Sequence, residues 1–150
     1  MLKNSLLLFA LLASSCISFT PPDRFLVVES HGDELKAITP EESKLWIRDF
    51  DDDDKGGLPF WKDALRADLK DSRGYLVISE GDVKDGAGTA GKELVLESTV
   101  NGRPMRELLS LFVYPGWFSD TIRVVEYIAE KPAFDKEVDG VRKSVGTLKP

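Results

Sequence analysis

The stretch Lys92–Lys131 constrains the fold most, because it reads as three successive β-strands, Glu93–Val100, Met105–Tyr114 and Thr121–Glu130. Asn101-Gly102 and Pro115-Gly116 mark the turns between them. Asn-Gly is the strongest short-range hairpin signal, since both residues accept the positive φ of a tight turn. Four residues, Asn101 to Pro104, separate the first two strands, so a hairpin is predicted without a turn type. Along the middle strand Leu109, Leu111 and Val113 form one period-two set, and Leu108 and Phe112 form another. A strand that is apolar on both sides needs cover on both faces of its sheet.

Two helices are available as cover. In Pro59–Arg73 the residues Trp61, Leu65 and Leu69 repeat every four positions, with Pro59 suited to a first turn and Gly74 to the end. In Pro132–Val145 the stripe is Phe134, Val138, Val141 and Val145, with Asp135 and Glu137 near the start and Arg142 and Lys143 near the end. Phe25–Val28, Leu35–Thr39, Lys44–Phe50 and Tyr75–Ser79 supply further strand candidates. The expected fold class is α+β: a mainly antiparallel sheet of about six strands covered by helices. At 150 residues and 42% hydrophobic the chain suits one domain, placed at residues 25–150. The net charge of −6 argues against nucleic acid as a partner, which would need a basic face.

The first sixteen residues read as a secretory signal: Lys3, an apolar run from Leu6 to Ala13, then small residues before Cys16. Eight apolar residues are too few to span a hydrocarbon core, which takes ~20 in a helix. Leu12-Ala13-Ser14-Ser15-Cys16 resembles the lipobox of bacterial lipoproteins. The resemblance implies a signal peptide over residues 1–15, lipidation of Cys16, and a membrane anchor of acyl chains. Cys16 is the only cysteine, so no internal disulfide competes for it. Residues 16–24, with Pro21 and Pro22, read as a short stiff tether. Ile17 is not the Asp that retains enterobacterial lipoproteins at the inner membrane. By that analogy the expected address is the periplasmic face of the outer membrane in a Gram-negative host.

Candidate sites are few. Gly86-x-Gly88-x-x-Gly91 matches a dinucleotide fingerprint, but a strand follows it where the pyrophosphate needs a helix N-terminus. No cofactor is expected. Asp49, Asp51 and Asp53 alternate like the first ligands of an EF-hand, yet the sixth and twelfth positions are Asp54 and Phe60 rather than Gly and Glu. They remain weak candidates for a divalent ion, in a run, Asp51 to Gly57, that reads as an exposed loop. His31, the single histidine, reads as a loop residue without the partners of a hydrolytic triad. Trp117 and Phe118, at the second turn, would cap the core if buried and form a partner-binding patch if exposed.

The paired strands around Val100-Asn101-Gly102, the runs Leu111-Phe112-Val113 and Thr121-Ile122-Arg123-Val124-Val125, and Pro132-x-Phe134 leading a helix together resemble the DcrB/PsbP-like superfamily. That superfamily includes bacterial DcrB-like lipoproteins, subunit P of the photosystem II oxygen-evolving complex and a Ran-binding import factor. The resemblance implies an α/β/α sandwich and members that bind or assist protein assemblies, with no catalytic residues to carry over. The acidic loop departs from it. The expected protein is thus a non-enzymatic, lipid-anchored envelope protein that binds another envelope protein; the alternative is an ion- or small-ligand-binding module using residues 49–54.

Overall fold

The computed structural model describes residues 16–150, so the signal-peptide reading of residues 1–15 lies outside the described residues. Seven strands form one antiparallel sheet: β1 (Leu26–His31), β2 (Glu34–Ile38), β3 (Lys44–Asp52), β4 (Leu76–Lys84), β5 (Ala90–Val100), β6 (Arg103–Tyr114) and β7 (Asp120–Glu130). Their order across the sheet is β1-β2-β3-β7-β6-β5-β4. Helix α1 (Gly57–Ala67) continues as a π-helical turn over Asp68–Ser72, and α2 spans Lys131–Val145. The α+β class read from the sequence is therefore the one observed, with seven strands in place of about six.

Both faces of the sheet are covered, as the middle strand requires. On one face Leu45, Ile47, Phe112, Val125 and Tyr127 meet Phe134, Val141 and Val145 of α2. Phe134 stacks on Tyr127 with ring centroids 5.3 Å apart. On the other, Leu94, Leu96, Leu109 and Leu111 meet Leu69 and the half-buried Trp61 and Leu65 of the first helix. The four-residue spacing of Trp61, Leu65 and Leu69 is thus the seam that α1 lays on the sheet. The helix ends at Gly74, whose N–H and that of Tyr75 donate to the Lys70 and Leu69 carbonyls.

Several boundaries moved, each for a physical reason. Arg103 pairs with Val100, which leaves Asn101 (φ 51°) and Gly102 (φ 76°) as a two-residue loop. Positive φ at both positions makes this a type I′ turn, whose twist matches the flanking strands. β1 runs on to His31, because an edge strand tolerates the polar Glu29-Ser30-His31 that suggested a loop. β3 runs on to Asp52, which pairs with Asp120 of β7, so the acidic run is only in part a loop. Ile17 is 7% exposed and packs in the α2-side core. Ser18 bridges Lys149, and the Thr20 N–H donates to the Thr147 hydroxyl at 2.9 Å. The segment read as a tether lies against the domain.

Candidate functional site

Trp117 and Phe118 are 88% and 86% exposed, the most exposed large apolar side chains among the described residues. They project from the loop between β6 and β7, closed by the last pair of those strands, Tyr114 with Thr121. The loop is held from both sides. Lys55 Nζ donates to the Gly116 carbonyl at 2.9 Å and lies 3.8 Å from the Asp120 carboxylate. The Gly116 N–H donates to Asp120 Oδ1 at 3.2 Å. A Cβ on residue 116 would lie 1.9 Å from the Ser119 carbonyl, so the tight fold of the loop depends on glycine there. Two large apolar side chains are therefore presented to solvent on a braced backbone. Of the alternatives the sequence left open, exposure is what the structure shows.

A buried polar chain supports the same end of the sheet. Arg123 donates from Nε and Nη2 to both Asp49 oxygens at 2.7 Å and from Nη1 to the Lys149 carbonyl at 2.6 Å. Its guanidinium lies 5.2 Å from the centre of the Tyr114 ring. Tyr114 Oη donates to Asp85 Oδ2 at 2.9 Å, and Asp85 Oδ1 accepts from the Ala87 and Thr89 N–H groups. Burial opposes the Arg123 charge, but its pairing with Asp49 outweighs this and raises its pKa. Burial also opposes ionisation of Asp85, and the donors from Thr89, Tyr114 and Ala87 overcome it and lower its pKa. Burial, then the bond to Asp85, pushes the Tyr114 hydroxyl well above its ordinary range. Three strands, the 85–89 loop and the C-terminal segment are locked together in this way. Cys16 is exposed and lines a cleft of about 170 Å³ with Asp49, Tyr114, Thr121, Arg123 and Pro150.

The candidate ion ligands are not brought together. Asp49 is committed to Arg123, and among the described residues no group of three or more His, Cys, Asp or Glu side chains converges to hold a metal. Asp52, within the acidic run, is buried and accepts from Trp61 Nε1 at 2.7 Å and the Gly56 N–H at 2.8 Å. The Trp61 bond chiefly holds its carboxyl below the ordinary range. His31 ends β1 with its ring 3.1 Å from Glu29 Oε1. The Gly86–Gly91 run leads into β5 and packs on the C-terminal segment, where the Gly86 N–H donates to the Leu148 carbonyl at 2.7 Å.

On the same face as α1, the β3 and β7 strands carry a second cluster. There Trp46, Arg48 and Glu126 form a half-buried flank, with Trp46 Nε1 donating to the Glu34 carboxylate. Arg48 lies 3.7 Å from the Trp46 ring centre and pairs with Glu126 at 2.7 Å. Glu107, 7% exposed, sits under this flank with its pKa raised to about 7 by burial and then by the Glu126 charge. A groove of about 720 Å³ is lined by the apolar Ile38, Val100, Met105 and Ile128 and by the charged Lys44 and Glu42. On the free edge, β1 exposes Leu26 (68%), Val27 (38%) and Val28 (52%). Arg123 and Glu107 escaped the sequence reading, though a signal existed. Each is a lone charge at an alternation position shared with core residues, Val125 and Tyr127 for one and Leu109 for the other. Lys55 gave no such signal, since its partners lie 61 and 62 residues away.

No protein-family model and no curated protein matches the sequence. Solved structures with this fold include LpqN of Mycobacterium tuberculosis, described as involved in cell envelope biogenesis. It superposes with a TM-score of 0.70 at 16% identity over 91% of this chain and 85% of its own. PA94 of Pseudomonas aeruginosa, of unknown function, reaches 0.56 at 14% identity, over 85% of this chain and 97% of its own. The Ran-binding protein Mog1p of Saccharomyces cerevisiae reaches 0.51 at 13% identity, over 87% and 80%. At these identities the likeness establishes a shared fold, that of Mog1p.

Proposed function

We propose that this chain is a non-catalytic, DcrB-like lipoprotein of the bacterial cell envelope, anchored through Cys16, that binds or assists assembly of another envelope protein. The observation that carries the reading is the free edge of β1. Three consecutive residues, Leu26, Val27 and Val28, are exposed there and uncharged, next to unpaired backbone donors and acceptors. Such an edge is a template for an added strand. Both edges turn polar in their second half, Glu29, Ser30 and His31 on β1 and Glu80, Asp82 and Lys84 on β4, but β1 exposes three consecutive apolar side chains where β4 exposes only Leu76 and Ile78. The role of the LpqN neighbour in cell envelope biogenesis supports the same setting; the Leu12–Cys16 pattern supports a lipid anchor, and Ile17 in place of Asp supports the periplasmic face of the outer membrane in a Gram-negative host.

A photocrosslinker at Val28 in cells is expected to capture a specific envelope protein, and Leu26→Lys with Val27→Lys to abolish the capture. Capture unchanged by the lysines would overturn the edge as the binding surface. The anchor has a separate test, in which Cys16→Ala moves the chain from the membrane to the soluble fraction. Unchanged fractionation would remove the lipid anchor from the reading.

A further inference from the structure

We infer that the Trp117–Phe118 loop seats in the interfacial layer of the bilayer beside Cys16, so that this end of the sheet rests on the lipid surface. The inference rests on the reading of Cys16 as the anchored residue. Its structural ground is the absence of slack between that residue and the domain. Ile17 is already in the core, Ser18 is bridged to Lys149, and Thr20 is bonded to Thr147. Cys16 itself lies in the cleft formed by Tyr114 and Thr121, the pair that closes the aromatic loop. Acyl chains attached at that sulfur would bring the membrane surface against this end of the molecule and leave no free linker to hold it away.

The chemistry of the loop suits that surface. Tryptophan and phenylalanine have apolar bodies, and the indole N–H of Trp117 can stay hydrated while the ring enters the headgroup boundary. Lys55 and Asp120 brace the backbone, so the pair need not be ordered on contact. The neighbouring charges are mainly acidic, Asp51, Asp53 and Asp54, and the one lysine bonded to the loop, Lys55, lies against the Asp120 carboxylate rather than free to draw in anionic lipid. The seat is therefore apolar in origin. It is expected on zwitterionic lipid and to be insensitive to salt, unlike a polybasic contact.

The full chain, purified with its lipid and reconstituted in phosphatidylcholine vesicles, tests this through tryptophan emission. Brominated acyl chains are expected to quench the wild-type protein, with a blue-shifted emission, and Trp117→Phe to lose most of that quenching. Since Trp117 is almost fully exposed, circular dichroism of the variant is expected to match the wild type. Equal quenching in both proteins, or none in either, would overturn the seat, as would a crosslinker at Phe118 that captures a protein while bromine leaves Trp117 unquenched. A wild-type chain recovered entirely soluble would instead fail the anchor reading. Adding the same vesicles to that soluble chain then decides the seat, with no quenching of Trp117 overturning it.

Discussion

Arg123 shows how much can rest on one side chain. It is 5% exposed, and three of its N–H groups donate to both oxygens of Asp49 and the carbonyl of Lys149. Truncation leaves the Asp49 charge without its partner in a largely buried position. Breaking such a pair typically costs about 3–5 kcal/mol. Arg123→Ala is therefore expected to lower the unfolding free energy by that order, read from the midpoint of a urea titration at constant slope. Asp49→Asn should cost somewhat less, because the amide oxygen still accepts one of the two guanidinium bonds. The ion pair was beyond the sequence reading because its partners lie 74 residues apart. What could be read was the anomaly of a charge in an apolar alternation; what it paired with needed the β3–β7 register.

At the scale of elements, local chemistry was legible and edges were not. The apolar stripes of the two helices and the central strands predicted their positions to within a few residues, since each repeats over several turns or pleats against a continuous core. β1 and the end of β3 were cut short because their residues are polar where they face water or a side-chain partner. The Asn-Gly turn was found, but Pro104 was read as part of the loop when it pairs with Thr99. Gly102 carries φ +76° in that turn, a conformation that a Cβ disfavours by about 1–2 kcal/mol. Gly102→Ala is expected to destabilise by that amount in thermal unfolding. Of the candidate site, Trp117 and Phe118 were identified by their place beside Pro115-Gly116, whereas the bracing by Lys55 was not, because the acidic run was assumed to hold no order.

At the scale of the whole molecule, Glu107 couples stability to pH. Its folded-state pKa of about 7 stands above the ordinary 4.5, because burial and the neighbouring Glu126 disfavour the charge. The folded domain therefore holds this proton more tightly than the unfolded chain does. The resulting stabilisation is complete below the ordinary carboxylate range and is lost as pH rises through about 7. A shift of this size corresponds to at most about 3 kcal/mol between the two ends of that window. Glu107→Gln is expected to flatten the dependence of unfolding free energy on pH between about 5 and 8 and to raise stability at the upper end. A variant with the wild-type pH profile would mean that the carboxylate is relieved by hydration.

The sheet order also sets a schedule. β7 is the last strand made, yet it lies at the centre, paired with β3 on one side and β6 on the other. Until residues 120–130 emerge, the chain holds two three-stranded halves, each with a raw inner edge and no partner. Neither half can close the core, because Val125, Tyr127 and the whole of α2 are still missing from it. The topology thus delays completion of the fold until β7 and α2 have both been made, so neither half of the sheet is closed while they are missing.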